Sequence, residues 1–217
     1  MAKIKHVIAY EGILVSLGVM QESYMEEFTI WANKRVGIEG TLLRPPYSLE
    51  GGREWVRNLE KTKGQHEIFA VLGRTQHTKH VTHRYVGHMG IHDITWPHGF
   101  AKTGSVIGAE EGRGRGYGTE AKLLLMHHAF HILGLRKMWS TVKSFNAPSM
   151  GHLMKCGYEP CGRLSAHHFH EGRYEDEIIL QVFRERWEPI WKKYRETKRL
   201  PKLTDEQRTL ITEETRR

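Results

Sequence analysis

Residues 103–130 read TGSVIGAEEGRGRGYGTEAKLLLMHHAF, and this stretch restricts the fold more than any other. A strand-like run leads into glycines on alternate positions, Gly112, Gly114, Gly116 and Gly118, and an apolar-periodic helix follows at once. The first N–H groups of a helix have no internal partner, and the helix dipole is positive there. Glycines keep Cβ atoms out of the way, so an anion can reach that backbone. Strand, glycine loop and helix in this order outline a pyrophosphate cradle. Arg113 and Arg115 stand between the glycines, where a diphosphate would receive charge-assisted contacts.

Motif spacing narrows the choice. A P-loop needs Gly-Lys followed by Ser or Thr, a combination the sequence lacks. The dinucleotide fingerprint G-x-G-x-x-G fails, because Tyr117 or Thr119 falls where the last glycine belongs. The pattern R-x-x-G-x-G is met by Arg113-Gly114-Arg115-Gly116-Tyr117-Gly118.

The chain of 217 residues suffices for one α/β domain plus an extra segment. With 39% apolar and 27% charged residues it reads as a globular chain. No apolar run approaches the ~18 residues of a membrane span. The N-terminus lacks the long apolar stretch and cleavage site of a signal peptide, so a cytoplasmic location is expected. Cys156 and Cys161 form neither a disulfide framework nor a metal knuckle and are expected to be reduced thiols. The net charge of +8 points to an anionic partner, whether nucleic acid, membrane surface or small polyanion. Among the 15 histidines, His77, His80 and His83 lie in a polar turn without zinc-ligand spacing, so no metal is expected.

Hydrophobic periodicity predicts a first strand over 12–19 and a helix over 22–36. Ser48 is placed to cap a helix within 44–60, with Trp55, Val56 and Leu59 on one side. Strands are predicted over 66–73, 83–96, 103–110 and 137–144. A helix over 119–133 lines up Ala121, Leu124, Leu125, Ala129, Ile132 and Leu133 and stops at Gly134. A short helix over 146–158 has Asn146 as N-cap, and a hairpin of 162–170 and 174–183 turns at Glu171-Gly172. Residues 1–183 are read as one domain and 184–217 as a charged helical extension that packs early, through Trp187, Ile190, Trp191 and Tyr194, and frays beyond Pro201.

Five segments in order, RPPYSLEGGREWVRNL, VGHMGIHDITW, GRGYGTEAKLLL, FNAPS…KCGY and HEGRYEDEIIL, carry a resemblance to the GNAT N-acetyltransferases. The resembling branch is that of the ribosomal-protein N-terminal and spermidine acetyltransferases, and the likeness spans roughly residues 10–185. It implies the GNAT fold, an α/β (α+β) arrangement whose mixed, mostly antiparallel sheet is splayed at the acetyl-CoA site and flanked by helices. It also implies acetyl-CoA as cosubstrate, a homodimer, and an amine acceptor: a protein N-terminus, a polyamine or another small amine.

Site residues follow from the same resemblance. Backbone groups of Arg113, Gly114, Arg115, Gly116, Tyr117, Gly118 and Thr119 would hold the pyrophosphate, and the strand edge at Val106 and Ile107 would pair with the pantetheine arm. An N–H beside Val106 would stabilise the oxyanion. Asn146 matches an Asn that contacts the arm, or it is a plain helix cap. The tyrosine acid of many members is replaced here by Leu153, and Ser149, three after Asn146, stands where this branch can place an acid, or else it caps. The glutamate base of the ribosomal-protein enzymes corresponds to His168; a histidine can take a proton near neutrality, while His167, His168 and His170 also read as exposed strand residues. Glu22, Glu26 and Glu27 are candidates to attract a cationic acceptor, or form a solvated face. Two other functions stay open: an acyl-CoA sensor without turnover, and a basic protein associated with nucleic acid.

Overall fold

The computed structural model describes residues 5–34, 46–78, 80–109, 112 and 114–216. The chain divides into two compact units, with boundaries at Ile94/Thr95, Thr103/Gly104 and Met126/His127. Among the described residues, eight strands and flanking helices give the mixed, mostly antiparallel α/β arrangement expected from the sequence.

In the first unit, β1 (Ile8–Glu11), β2 (Val15–Val19), β3 (Glu67–Gln76) and β4 (Val81–Thr95) form an antiparallel meander. Helix α1 (Met25–Ala32), entered through a 3-10 turn at Glu22–Tyr24, and helix α2 (Leu49–Asn58) belong to the same unit. Residues 35 and 36 of the predicted first helix lie outside the described residues. Ser48 Oγ accepts from the Gly51 amide at 3.0 Å, which fixes the start of α2. Trp55, Val56 and Leu59 pack, as their spacing predicts, on a core of Met20, Tyr24, Met25, Phe28, Ala70, Leu72 and Tyr85.

The predicted strand over 12–19 is corrected to a tight turn followed by β2, and β1, which lies before that span, was not anticipated. The turn is held from a distant part of the chain. Glu120, fully buried, accepts the amides of Ile13 at 2.9 Å, Leu14 at 2.7 Å and Val15 at 2.8 Å. Gly12 must be glycine there, since a Cβ would lie 2.7 Å from both Cδ and Oε2 of Glu120.

Strand β5 (Phe100–Ile107) starts in the second unit and ends in the first, three residues earlier than the predicted 103–110. Its Phe100, Ala101 and Lys102 pair in parallel with Lys137, Met138 and Trp139 of β6 (Lys137–Lys143). The second unit continues through β8 (Arg173–Phe183) to β7 (Glu159–His170), both antiparallel steps. Helix α3 (Tyr117–His127) passes into a π turn at His128–Ile132, where Leu133 N reaches back to His128 O at 3.0 Å. The longer i→i+5 loop delays the helical face by one residue. Phe130 is therefore buried, and Ile132, assigned to the buried line above, is 60% exposed.

Helix α4 (Ala147–Lys155) is followed after β8 by α5 (Arg184–Thr197) and α6 (Asp205–Arg216). Trp187, Trp191 and Tyr194 are buried. The expected fraying beyond Pro201 is corrected: α6 docks on α4. Leu203 and Ile211 lie against Gly151, and Gln207 Nε2 donates to Met154 O at 3.2 Å. Arg163 of β7 fastens the last turn through the Glu214 carbonyl at 2.9 Å and its carboxylate at 3.2 Å. The sparse apolar residues of 203–214, Leu203, Leu210 and Ile211, hid this contact, because a helix that buries so narrow a face and a solvated one have similar composition. No helix among the described residues is long and apolar enough to cross a membrane.

Candidate active site

In the first unit, β5 ends against β4. The amides of Gly108 and Ala109 both donate to Val86 O, at 3.0 and 3.2 Å. Gly87 lets Val106 approach closely, because a Cβ at Gly87 would collide with the Val106 carbonyl. The loop then closes with Gly112 N on Ala109 O at 3.0 Å, and Gly114 (φ 71°) and Gly116 (φ 89°) adopt left-handed conformations. Helix α3 opens at Tyr117, and Glu120 N bonds Gly116 O at 2.9 Å. The amides of Tyr117, Gly118 and Thr119 thus occupy the first turn, where no i−4 carbonyl belongs to the helix.

The ring of Tyr117 packs beside Gly73 and Gly112, so only its backbone is oriented for a ligand. At Gly114 the direction a Cβ would take is open among the described residues. Arg115 is exposed beside it, and Arg113 lies outside the described residues. Gly112 and Gly118 lie beside the Ile107 side chain, so the end of β5 adjoins the first turn of α3 within this unit. Unpaired amides at a helix N-terminus are groups an anion can meet.

The second unit carries the other predicted residues. Asn146 N bonds Lys143 O at 2.8 Å at the end of β6, and Asn146 Oδ1 caps α4 by accepting Ser149 N at 3.1 Å. An asparagine has separate acceptor and donor ends, so its NH2 stays available as a donor while the carbonyl caps. The two readings of Asn146 are compatible. Asn146→Ala should cost about 1 kcal/mol through the cap and raise the KM for acetyl-CoA. Thermal melting and acetyl-CoA kinetics on the same preparation check this; lost stability with an unchanged KM would leave the cap alone. Leu153 is buried, so α4 offers no phenol in its place.

The histidines of β7 depart from simple alternation. The register breaks between Leu164 and His168, with Ala166 at φ 50°. Asp176 holds this bulge, accepting Ala166 N at 2.7 Å and Arg163 Nε at 2.6 Å. Those two bonds keep its carboxyl below the usual range, the Ala166 amide contributing most. Adjacent residues of a regular strand face opposite ways, but the bulge turns both rings toward one carboxylate. His168 Nε2 lies 3.1 Å from Glu177 Oε1, and His167 Nε2 lies 3.6 Å from Glu177 Oε2. The rings meet edge to face at 4.8 Å. His170 instead stacks on Phe145 at 4.5 Å.

Glu177 was not singled out from the sequence. Its side chain is 12% exposed and that of His168 17%, while His167 is 48% exposed. Burial pushes the Glu177 carboxyl up. Hydrogen bonding from Thr141 and His168, with the positive charge of His168 and Lys102, outweighs burial and leaves it below the usual range. A carboxylate beside a half-buried imidazole can hold the ring orientation. The sequence holds one hint: Glu177 directly precedes the apolar run Ile178–Leu180.

Back in the first unit, each acidic residue of the 3-10 turn and α1 faces an arginine. Glu22 lies 3.1 Å from Arg57, Glu26 3.6 Å from Arg53 and Glu27 3.5 Å from Arg84. Such exposed pairs contribute little stability, but they offset the negative charge a cationic ligand would seek.

Residues 17–159 match the acetyltransferase (GNAT) domain family. No curated protein matches the chain by sequence. Among solved structures, a spermidine N-acetyltransferase from Vibrio cholerae in complex with CoA and spermine is similar at 20% identity and a TM-score of 0.69, covering 80% of this chain and 98% of that one. A probable acetyltransferase is similar at 17% identity and a TM-score of 0.69, covering 80% and 95%. A dodecameric form of the Vibrio cholerae enzyme is similar at 20% identity and a TM-score of 0.63, covering 79% and 95%. At these identities the structural likeness shows a shared fold.

Proposed function

The chain belongs to the GNAT acetyltransferases, and from that membership we propose that it transfers the acetyl group of acetyl-CoA to a primary amine by direct attack in a ternary complex. The observation that carries this reading is the amide cradle between β5 and α3, with left-handed Gly114 and Gly116 opening the backbone at a helix N-terminus. The amides of residues 114–119, with Arg113 and Arg115, bind the pyrophosphate. The edge of β5 at Val106 and Ile107 pairs with the pantetheine arm, and an N–H there stabilises the oxyanion. The Asn146 NH2 donates to the same arm.

In the transfer, the amine nitrogen forms the N–C bond while the C–S bond breaks. His168 takes the proton lost by the amine, with Glu177 orienting the ring, and Ser149 supplies a proton to the leaving sulfur. Supporting the base role, His168 is half-buried beside a carboxylate that remains ionised. Supporting the acid role, Ser149 lies in the first turn of α4, and α4 begins at the proposed arm contact Asn146. The acceptor is a small amine or a protein N-terminus. The structural likeness to a spermidine N-acetyltransferase favours a polyamine. The arginines facing Glu22, Glu26 and Glu27, and the net charge of +8, favour a less cationic amine. Self-association belongs to the same reading, supported by the dodecameric relative.

The test is thiol release from acetyl-CoA with spermidine, small monoamines and peptides bearing free N-termini. Release with at least one amine is expected; tight acetyl-CoA binding without release from any would turn the reading to a sensor. With an active amine, Ser149→Ala and His168→Gln should each lower kcat by about 10²-fold, the low end for general acid–base groups. Acetyl-CoA affinity should stay within about two-fold, as expected for groups that act only in the transition state. Unchanged kcat in His168→Gln would remove the histidine from the reaction and leave proton loss to water.

A further inference from the structure

We propose that His167 Nε2, His168 Nε2 and the Glu177 carboxylate form a site for a divalent transition-metal ion of the zinc class, and that occupation of this site blocks acetyl transfer. The site stands on geometry. All three ligand atoms lie within 4.8 Å of one another. Zinc–nitrogen and zinc–oxygen bonds of ~2.0–2.1 Å at a tetrahedral angle separate neighbouring ligand atoms by about 3.3 Å. The His168 Nε2–Oε1 and His167 Nε2–Oε2 separations, 3.1 and 3.6 Å, are close to that value, each measured to a different oxygen of the one carboxylate.

The position of His168 supports the same assignment. Its Nε2 is buried and lies 3.1 Å from Glu177 Oε1. Two neutral imidazoles and one carboxylate are borderline-soft ligands that favour zinc-class ions over magnesium or calcium. His167, 48% exposed, leaves the solvent side open for a fourth ligand such as water.

The site exists because of the bulge. In a regular strand His167 and His168 would face opposite sides, and one of them would miss Glu177. Ala166 at φ 50°, held by Asp176, turns both onto it. Coordination uses the lone pair of His168 that acetyl transfer would need to take a proton. Metal binding and turnover therefore exclude each other. This inhibitory half rests on the base role proposed above, whereas the binding half does not.

The test uses the full-length chain freed of metal by chelation. Cobalt(II) is titrated in while visible ligand-field bands are followed, and zinc(II) is titrated by calorimetry. One ion per chain is expected. Loss of a partner that only supports a ligand costs 10–100-fold in affinity, so His167→Gln, which removes a ligand, should weaken binding by about 100-fold or more. His167 is exposed and outside the proposed acid–base set, so the variant should melt normally and turn over normally without metal. A His77→Gln/His80→Gln double variant should bind the metal like the parent. In the parent, saturating zinc should abolish thiol release and chelator should restore it. His167→Gln should keep its activity at the same zinc concentration. Equal affinity in parent and His167→Gln, or no binding, overturns the site. Binding that depends on His167 but leaves turnover intact overturns the block and the base role of His168 together.

Discussion

Gly116→Val is expected to weaken acetyl-CoA binding roughly 100-fold while the protein still folds. Gly116 sits at φ 89°, and its carbonyl accepts the first hydrogen bond of α3 from Glu120 N at 2.9 Å. Two effects follow from adding a β-branched side chain. The left-handed conformation becomes strained by about 1–3 kcal/mol, which lowers Tm by about 2–4 °C per kcal/mol in a chain of this size. In the proposed cradle the side chain also crowds a diphosphate at the amides of the first turn. Losing two or three net contacts of about 1 kcal/mol each corresponds to about 3 kcal/mol, or roughly 100-fold. Gly134→Val separates the two effects. Gly134 is also left-handed, at φ 69°, with open space in the Cβ direction among the described residues, but it ends the π turn in the other unit. It should lose comparable stability and keep its acetyl-CoA affinity. Calorimetry on both variants decides; unchanged affinity in folded Gly116→Val would remove the cradle from coenzyme binding.

Glu120→Ala should be strongly destabilising, by about 3–5 kcal/mol, because three amide donors lose their acceptor at about 1–3 kcal/mol each. The buried carboxylate receives the three successive amides of Ile13, Leu14 and Val15. Alanine leaves those donors without their acceptor and opens a space the size of the lost side chain. At about 2–4 °C per kcal/mol, Tm should fall by about 10 °C. Glu120→Gln keeps the volume and one carbonyl oxygen but turns an NH2 toward amide donors, so it should fall between parent and alanine. Gly12→Ala should damage the same contact from the other side, because its methyl would meet the Glu120 carboxylate at 2.7 Å. Melting curves for the three variants check this; a Glu120→Ala protein within about 1 °C of the parent would show that water replaces the carboxylate at the turn.

How much of this was readable beforehand depended on whether the cause was local. The α2 start at Ser48, the capping of α4 by Asn146 and the glycine turn before α3 each rest on a few neighbouring residues. Caps and left-handed turns are settled within a turn of chain, so residue type and spacing were enough to place them. The family likeness was legible for a related reason: its motifs are short segments in a fixed order. The π turn was harder, because a slipped helical face leaves almost no trace in composition, and Phe130 took the buried place assigned to Ile132.

Contacts distant along the chain were decided only in three dimensions. The β1–β2 turn is organised by Glu120, more than a hundred residues away, and docking of α6 by Gly151, Met154 and Arg163. Glu177 became the partner of two consecutive histidines only because a bulge, pinned by Asp176, rotated one of them across the strand. Sequence by itself determined which residue types were available and where the backbone could turn. Tertiary structure decided which distant groups meet, because burying a carboxylate or bulging a strand is favourable only once the hydrogen-bond partners supplied by other elements are in place.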